Sequence, residues 1–561
     1  MISPLISKKN DCRSCYKCIR ACPTKSITFH DNQASILPDE CILCGRCYVT
    51  CPQGCKVIRS DKDRALALLQ AGNCFVSLAP SYVAAFPGTT IETMAEALLA
   101  LGAAGVEETA IGATIVKKAY DAMLEKAEGA PILSTCCPAI NELVRKYYPE
   151  CAPYLAPVLS PMLAHGKDLK ERHSGCAVLF VGPCIAKKGE GDKHPDLVDC
   201  VLTYDELIAL LEDKGIEPRK ETNPRFEEET KARLFPTEGG ILATMERKNA
   251  SYEYVSLSGM EECMGALEDL SSGTIHHGFF ELSACEGSCI NGPVVASKNT
   301  LKTLMRVRSS AGKKDFKVRP HTLESLAVPM DPYLRREEVF TEKEIARVLN
   351  DMGKRSKKDE LNCSSCGYAT CREKAKAVLQ GKATVSMCLP YLMEKATSFS
   401  NDVIEHSPNA IVVVDESLNI QLANPVFAEI VGHSPQDLIG TSIADVLDPT
   451  LFLEALDGRN CFGRHIALDR YSLYVEATVR HDETYHIVTG TFRDRTQTVL
   501  DMRRRKESAE EASKVTREVI EKNMRAVQEI AELLGQSAAE TKVALTRLQS
   551  VLTDDGKNHG K

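Results

Sequence analysis

The 561-residue chain has no apolar run long enough to cross a bilayer, since its longest, "CFVSLAPSYVAAF" and "CAVLFVGPCIA", fall short of a membrane span. Its opening, "MISPLISKKND", lacks a hydrophobic stretch leading to a small-residue cleavage site, so no secretion signal is expected. It has no excess of positive charge either: 69 Lys and Arg stand against 77 Asp and Glu, a formal charge of -8. That balance argues against nucleic acid as a partner, because phosphate binding needs a concentrated basic face. No kinase or phosphatase motif is present. These absences leave a soluble, cytoplasmic protein with neither membrane nor nucleic acid as partner. Its length fits roughly four domains at about 150 residues each.

Cysteine is what the chain has in plenty, with 24. In a reducing compartment so many thiols point to metal or redox sites rather than disulfides. Residues 12–23, "CRSCYKCIRACP", and 41–52, "CILCGRCYVTCP", repeat one C-x-x-C-x-x-C-x-x-x-C-P run. The pair resembles the two-cluster bacterial ferredoxins, in which three cysteines of a run hold one 4Fe-4S cluster and the fourth reaches the other. That implies Cys12, Cys15, Cys18 and Cys51 on one cluster, and Cys41, Cys44, Cys47 and Cys22 on the second. Zinc knuckles also use C-x-x-C pairs, so zinc is the competing reading. A third group, "CSSCGYATCREKAKAVLQGKATVSMCLP", holds Cys363, Cys366, Cys371 and Cys388. It resembles a small helical 4Fe-4S module of electron-transfer subunits and corrinoid iron-sulfur proteins, with zinc again the rival.

Between residues 61 and about 325, apolar β-rich runs ("CFVSLAP", "PILST", "AVLFVGPC", "EYVSLSG") alternate with amphipathic helical stretches ("IETMAEALLALG", "TYDELIALLEDKG"). Such alternation predicts parallel sheets with ligand sites at the strand ends. Three segments carry cysteine: "STCCPAI" (134–140), "GPCIAKKGE" (182–190) and "SACEGSCINGP" (283–293). In this order, behind a ferredoxin-like run, they resemble the signature segments of the iron-only (FeFe) hydrogenases. The resemblance implies a two-lobed α/β domain and a fourth 4Fe-4S cluster on Cys137, Cys184, Cys285 and Cys289. It also implies a diiron subcluster with CO, CN and azadithiolate ligands, bridged through Cys289. Cys136 then faces the dithiolate amine as a proton carrier with a thiol pKa near 8.5, against the alternative that it merely packs. Lys187 matches the lysine that donates to an iron-bound cyanide, with Lys188 a solvated neighbour. Pro80 and Ser81 match a loop flanking the diiron unit, unless Ser81 only caps the next element. Ser283 is expected on the same cofactor wall.

The chain departs from the family where Gly182 and Ser283 replace methionines and Ile140 replaces a tryptophan. Carboxylates that feed protons to the cysteine fall on Val116 and Ala119, and a relay serine on Ala156. None of these side chains carries a proton, so turnover is expected to be slow unless Glu107, Glu108 or Asp121 substitutes.

Beyond residue 400 the texture changes. "HSPNAIVVVDESLNIQLANPVFAEIVGHS" and the strands of "RYSLYVEATVRHDETYHIVTGTFRD" resemble a PAS domain, with Asp415 at a hairpin turn and Asn424 opening a helix. A charged helix follows over 496–533, with Val515, Val519, Met524, Val527, Ile530 and Leu534 as a broken apolar stripe. Gly535 is expected to stop it, and Ser537 and Glu540 to start a second helix, giving a helical hairpin or coiled coil.

The expected multidomain α/β layout is a ferredoxin domain at 1–60, an H-cluster domain at 61–335 and a 4Fe-4S module at 336–398. A PAS (α+β) domain at 399–496 and a helical region at 497–561 complete it. The expected function is slow, reversible oxidation of H2 used for hydrogen or redox sensing. Expected partners are H2 and protons, a ferredoxin-like or other electron donor or acceptor, a separate downstream signalling protein and diiron maturation proteins. A homodimer through the PAS and tail helices stays open. Competing readings are a non-catalytic iron-sulfur protein of electron transfer or cluster assembly, and a bulk hydrogenase. The single cysteines Cys74, Cys151, Cys176, Cys200, Cys263 and Cys461 are expected in cores, and His276 and His277 at the surface; Cys55 is given no role.

Overall fold

The computed structural model describes residues 3–8, 11–222, 227–246, 249–295, 300–333, 338–534 and 546–547. The chain forms two compact units, Met1–Leu392 and Met393–Lys561.

In the first unit, each four-cysteine run builds the same local structure. The first run leads into helix Lys17–Ala21 from a left-handed Tyr16 (φ 55°), and the second into Arg46–Thr50 from a left-handed Gly45 (φ 76°). Each helix ends on the fourth cysteine in nearly equal extended conformations, Cys22 at φ -76°, ψ 115° and Cys51 at φ -74°, ψ 109°. The following proline cannot extend a helix, so the cysteine side chain turns away from its own run. Two antiparallel ribbons, Leu5–Ser7 with Lys56–Ile58 and Ile27–His30 with Gln33–Ile36, close this region.

Two parallel sheets follow. One has the order Gly105–Glu108, Cys74–Leu78, Ala177–Gly182, Cys200–Thr203, and the other the order Glu253–Ser258, Gly278–Ser283, Ile132–Leu133. Helices such as Ile91–Ala100, Ala110–Glu125 and Tyr204–Asp213 pack on them, each burying one apolar face. The cysteine segments follow the C-terminal ends of strands from both sheets, where α/β folds place ligands. Helices Glu342–Asp351 and Cys371–Leu379 pair through Ile345, Val348, Leu349 and Ala375. Helix Leu389–Glu405 carries the chain into the second unit.

The second unit holds a five-stranded antiparallel sheet in the order Ile420–Ala423, Ala410–Asp415, Ile487–Asp494, Leu473–Asp482, Cys461–Leu468. Phe427, Phe452 and Phe492 fill its core. Asp415 closes the first hairpin by accepting the Ser417 and Asn419 amides. Asn424 caps helix Pro425–Val431 by accepting from Phe427 N. The tail helix spans Thr496–Leu534, with Val515 and Val519 exposed along it. Gly535, Ser537 and Glu540, and with them the start of the second tail helix, lie outside the described residues. Among the described residues no helix is long and apolar enough to cross a membrane.

The cysteines left over are buried: Cys74, Cys151, Cys176, Cys200, Cys263 and Cys461 each sit in a core, and His276 and His277 are exposed. Lys188 corrects the sequence expectation. It is not solvated but fully buried, donating to Asp61 (2.6 Å), Glu206 (2.8 Å) and the Val201 carbonyl (3.0 Å). An ammonium loses too much hydration on burial to stay charged without such partners. Lys188 therefore ties helix Ile185–Lys193 to Asp61 at the start of helix Lys62–Gln70.

Candidate active site

Five thiols face one small cavity of about 110 Å³: Cys136, Cys137, Cys184, Cys285 and Cys289. Cys44 of the second ferredoxin-like run reaches the same wall, as do Pro80, Ser81, Lys187 and Ser283. Cys137 and Cys184 each stand immediately before a helix, Pro138–Tyr147 and Ile185–Lys193. Cys289 lies in the short turn Ser288–Asn291 and keeps accessible surface where it borders the cavity. Among the described residues no three His, Cys, Asp or Glu side chains converge closely enough to hold one bare ion. The thiols instead stand around a space, the arrangement a polynuclear cluster needs. Burial pushes Cys184 up to about 11 and Cys289 up to about 12, so both stay protonated until a metal replaces the proton. The donor set, its spacing around a cavity and its dry setting fit a cubane.

Cys136 differs from its neighbour. Its sulfur lies 3.4 Å from Tyr120 Oη, which accepts from Thr135 N at 2.9 Å. Burial pushes this thiol to about 12, correcting the expected value near 8.5; hydrogen bonding from Tyr120 and the charge of Lys187 oppose the rise. Cys136 therefore rests as a neutral S–H rather than as a thiolate.

Lys187 donates to Ser160 Oγ at 2.9 Å and Glu190 Oε2 at 2.7 Å. Burial alone would lower its pKa, but Glu190 outweighs that and raises it. Its third N–H is available to the cavity. Ser160 and Glu190 face a separate, larger cavity of about 610 Å³ on the other side. Ser81 hydrogen-bonds Tyr204 Oη at 2.7 Å, and although it precedes helix Tyr82–Ala85 its side chain caps nothing. Ser283 pairs with Ser288 at 3.0 Å.

Val116, Ala119 and Ala156 are buried in the apolar core. The three acids expected to substitute for the missing feeders do not reach the cavity. Glu108 is locked to Arg233 by two hydrogen bonds, and Asp121 holds Lys117 and the Glu246 amide. Burial opposes ionisation of Glu107, yet His165 and Arg172 outweigh it and hold the carboxyl down at about 2. None of the three is a ready proton donor to Cys136.

Two wall residues escaped the sequence reading. Met162, from helix Pro161–Arg172, brings a thioether from a different element. Phe180 explains Gly182: a Cβ there would stand 2.7 Å from the Phe180 ring, which occupies the space a larger residue would need. Neither has a local signal, because each acts across the fold. Glu190 was readable as the acid three residues after Lys187 on one helix.

Seven of the eight ferredoxin-like cysteines fall into two groups, with Cys15 outside the interactions described. Cys18 lies within electrostatic reach of Cys12 and Cys51, and Cys47 within reach of Cys44, Cys41 and Cys22. Backbone N–H groups of Leu43, Cys55 and Ser26 donate to the sulfurs of Cys41, Cys51 and Cys22, each at 3.3 Å. In the third module Cys363, Cys366, Cys371 and Cys388 all bear on the buried Lys374 ammonium. Lys25 joins the two regions by donating to the carbonyls of Ile19 and Gly367.

Comparison with known proteins follows the same divisions. Residues 4–52 match the 4Fe-4S dicluster domain, 72–293 the iron only hydrogenase large subunit, C-terminal domain, 359–390 an Fe-S cluster family and 401–495 the PAS fold. The cytosolic Fe-S cluster assembly factor NAR1 of Kluyveromyces lactis is 35% identical over 89 residues, 16% of this chain and 19% of that protein. The periplasmic Fe hydrogenase large subunit of Nitratidesulfovibrio vulgaris is 24% identical over 214 residues, 29% of this chain and 51% of that protein. The chain thus spans from about a fifth to about a half of the length of these relatives. A solved variant of the FeFe hydrogenase HydA1 from Chlamydomonas reinhardtii aligns with a TM-score of 0.37 at 18% identity, covering 46% of this chain and 91% of that one. Residues 72–293 thus carry an iron-only hydrogenase large-subunit domain, preceded by a 4Fe-4S dicluster domain and followed by an Fe-S cluster module and a PAS fold.

Proposed function

We propose that this protein oxidises H2 reversibly and slowly at the thiol-lined cavity and uses the result as a hydrogen signal. One observation carries the reading: Cys136 and Lys187 face the same cavity as four thiols that already suffice for a cubane. A bare cubane has no use for a fifth thiol and a buried ammonium.

Cys137, Cys184, Cys285 and Cys289 would hold the cubane, with Cys289 shared with a diiron unit bordered by Pro80, Ser81, Lys187 and Ser283. When bound, that group supplies an open metal position for H2 and a path for its two electrons. The chain does the rest. The neutral Cys136 S–H takes and gives protons at its sulfur, Lys187 offers a positive donor to anionic ligands, and the apolar wall excludes water. Clusters held by the ferredoxin-like cysteines, nearest the cavity at Cys44, would take up electrons and exchange them with an external ferredoxin-like carrier. The buried apolar Val116, Ala119 and Ala156 favour a slow sensor over a bulk producer. Output through the PAS domain calls for a separate signalling protein, and the exposed valines of the tail helix offer a face for a second copy. Diiron maturation proteins would load the site in the cytoplasm.

The NAR1 relatives favour a second reading, a non-catalytic iron-sulfur protein of cluster assembly. Infrared spectroscopy of protein activated with the diiron cofactor separates the two. Terminal CO and cyanide bands are expected; protein that takes up its cubanes and shows no such bands is the assembly type.

A further inference from the structure

We propose that Thr109, Ser77 and His165 form a proton relay joining the thiol-lined cavity to the partly exposed carboxylate of Glu107. The inference rests on the hydrogen-splitting reading and answers the question that reading leaves open, namely where the proton goes.

Each polar group on the cavity wall starts a hydrogen-bond chain, and most chains stop. Cys136 leads to Tyr120 and Thr135, which donates to the Val158 carbonyl at 3.1 Å. Ser81 leads to Tyr204, which donates to the Ala79 carbonyl at 3.0 Å. A carbonyl has no proton to pass on. Lys187 ends at Glu190, whose charge holds the ammonium protonated.

The chain from Thr109 continues. Thr109 lines the cavity, and its hydroxyl lies 2.7 Å from Ser77 Oγ. Ser77 Oγ lies 2.8 Å from His165 Nδ1, and His165 Nε2 lies 3.2 Å from Glu107 Oε2. All three separations fall within proton-transfer reach. Ser77, Thr109 and His165 are buried, while the Glu107 side chain is 25% exposed.

The far end sets the polarity. Arg172 grips both oxygens of Glu107, at 2.8 and 2.6 Å, and keeps it anionic. The carboxylate then accepts from Nε2–H, which leaves Nδ1 as a bare acceptor aimed at Ser77. Thr109 Oγ takes a proton from the cavity and gives its own to Ser77, and Ser77 gives its own to Nδ1. The imidazolium passes its Nε2 proton to Glu107 Oε2, and the partly exposed carboxylate gives it to water. One proton enters, one leaves, and hydroxyl rotation with a tautomer exchange restores the start; no electron moves.

The fold invests in this contact. A Cβ at Gly112 would stand 2.1 Å from the Pro161 carbonyl and 2.7 Å from His165 Cβ. Only glycine lets helices Ala110–Glu125 and Pro161–Arg172 approach closely enough to lay His165 on Ser77.

The test uses the full chain loaded with the diiron cofactor, as wild type, S77A, T109V and H165Q. Two rates are read: H2/D2O isotope exchange, and the shift of the CO bands after a pH jump without H2, which reports proton access apart from turnover. The relay predicts at least a tenfold slowing of both in each variant, with iron content and resting infrared bands unchanged. Wild-type rates in fully loaded S77A and T109V overturn it, even where H165Q fails to fold. Wild-type protein without CO and cyanide bands instead defeats the hydrogen-splitting reading, and the relay with it.

Discussion

At the scale of single residues, two side chains carry separable predictions. Lys374 is fully buried three residues after Cys371, and its ammonium donates to the Val385 carbonyl at 3.1 Å. The anionic groups that bear on it are the four cysteines of its own module. Burial lowers its pKa and the module's cysteines oppose that, so a bound cluster would supply counter-charge to this ammonium. Reduction adds negative charge, and a buried cation beside it favours the reduced state. Lys374→Gln is expected to lower the midpoint of this cluster alone by on the order of 59 mV, a tenfold change for one electron. Lys374→Arg keeps it near the starting value. A redox titration followed by electron paramagnetic resonance reads both. For Cys136 the expectation is on turnover: Cys136→Ala should cut H2/D2O exchange at least tenfold while iron content stays constant, because the cubane ligands are untouched. Unchanged exchange would leave this thiol as packing. The adjacent thiols were legible in "STCCPAI". Lys374 was not, since a lysine in a helical stretch reads as solvated until packing shows which face is covered.

At the scale of elements, what repeats locally was readable and what meets across the fold was not. The two ferredoxin-like runs share spacing, prolines and helix ends, so the same local rules produce the same backbone twice. Strands Cys74–Leu78, Ala177–Gly182 and Glu253–Ser258 follow the apolar runs that predicted them. Strand Ile132–Leu133 is shorter than its run because "STCC" leaves the sheet to reach the cavity. Lys188 and the acids Glu108 and Asp121 were misread, because their partners Asp61, Arg233 and Lys117 come from other elements or from helix faces the sequence does not orient. The end of strand Ala177–Gly182 tests the wall of the cavity. Gly182→Met restores the family's usual residue but collides with the Phe180 ring, so it should lower iron uptake at this site. Adding Phe180→Ala frees the space and should recover it. Equal uptake in both variants would show that the wall gives way without penalty.

At the scale of the whole molecule, the proposed hydrogen signal would have to travel from the cavity towards the PAS fold. Cys44 borders the active-site cavity, and Lys25 and Tyr368 each lie within electrostatic reach of both Cys22 and Cys366. Clusters held by these cysteines would lie in succession from the cavity to the 363–388 module. The last ligand of that module, Cys388, accepts from Leu392 N through its carbonyl at 2.9 Å, in the first turn of helix Leu389–Glu405. The same helix continues to Ile404, whose carbonyl accepts from Asn424 Nδ2 at 3.1 Å. Asn424 Oδ1 also receives Ile411 N at 2.8 Å, on the first PAS strand. Helix Leu389–Glu405 is the covalent link between the module and the PAS residues it touches. Signalling needs an element whose equilibrium the redox state biases, and this helix is the covalent candidate. Hydrogen exchange of activated protein under H2 and under argon should differ in residues 389–405 and 410–415. Cys371→Ser, which removes a ligand of the third cluster, should abolish that difference while H2/D2O exchange at the cavity continues. Identical exchange in these segments under both gases would mean that the redox state does not leave the chain by this helix.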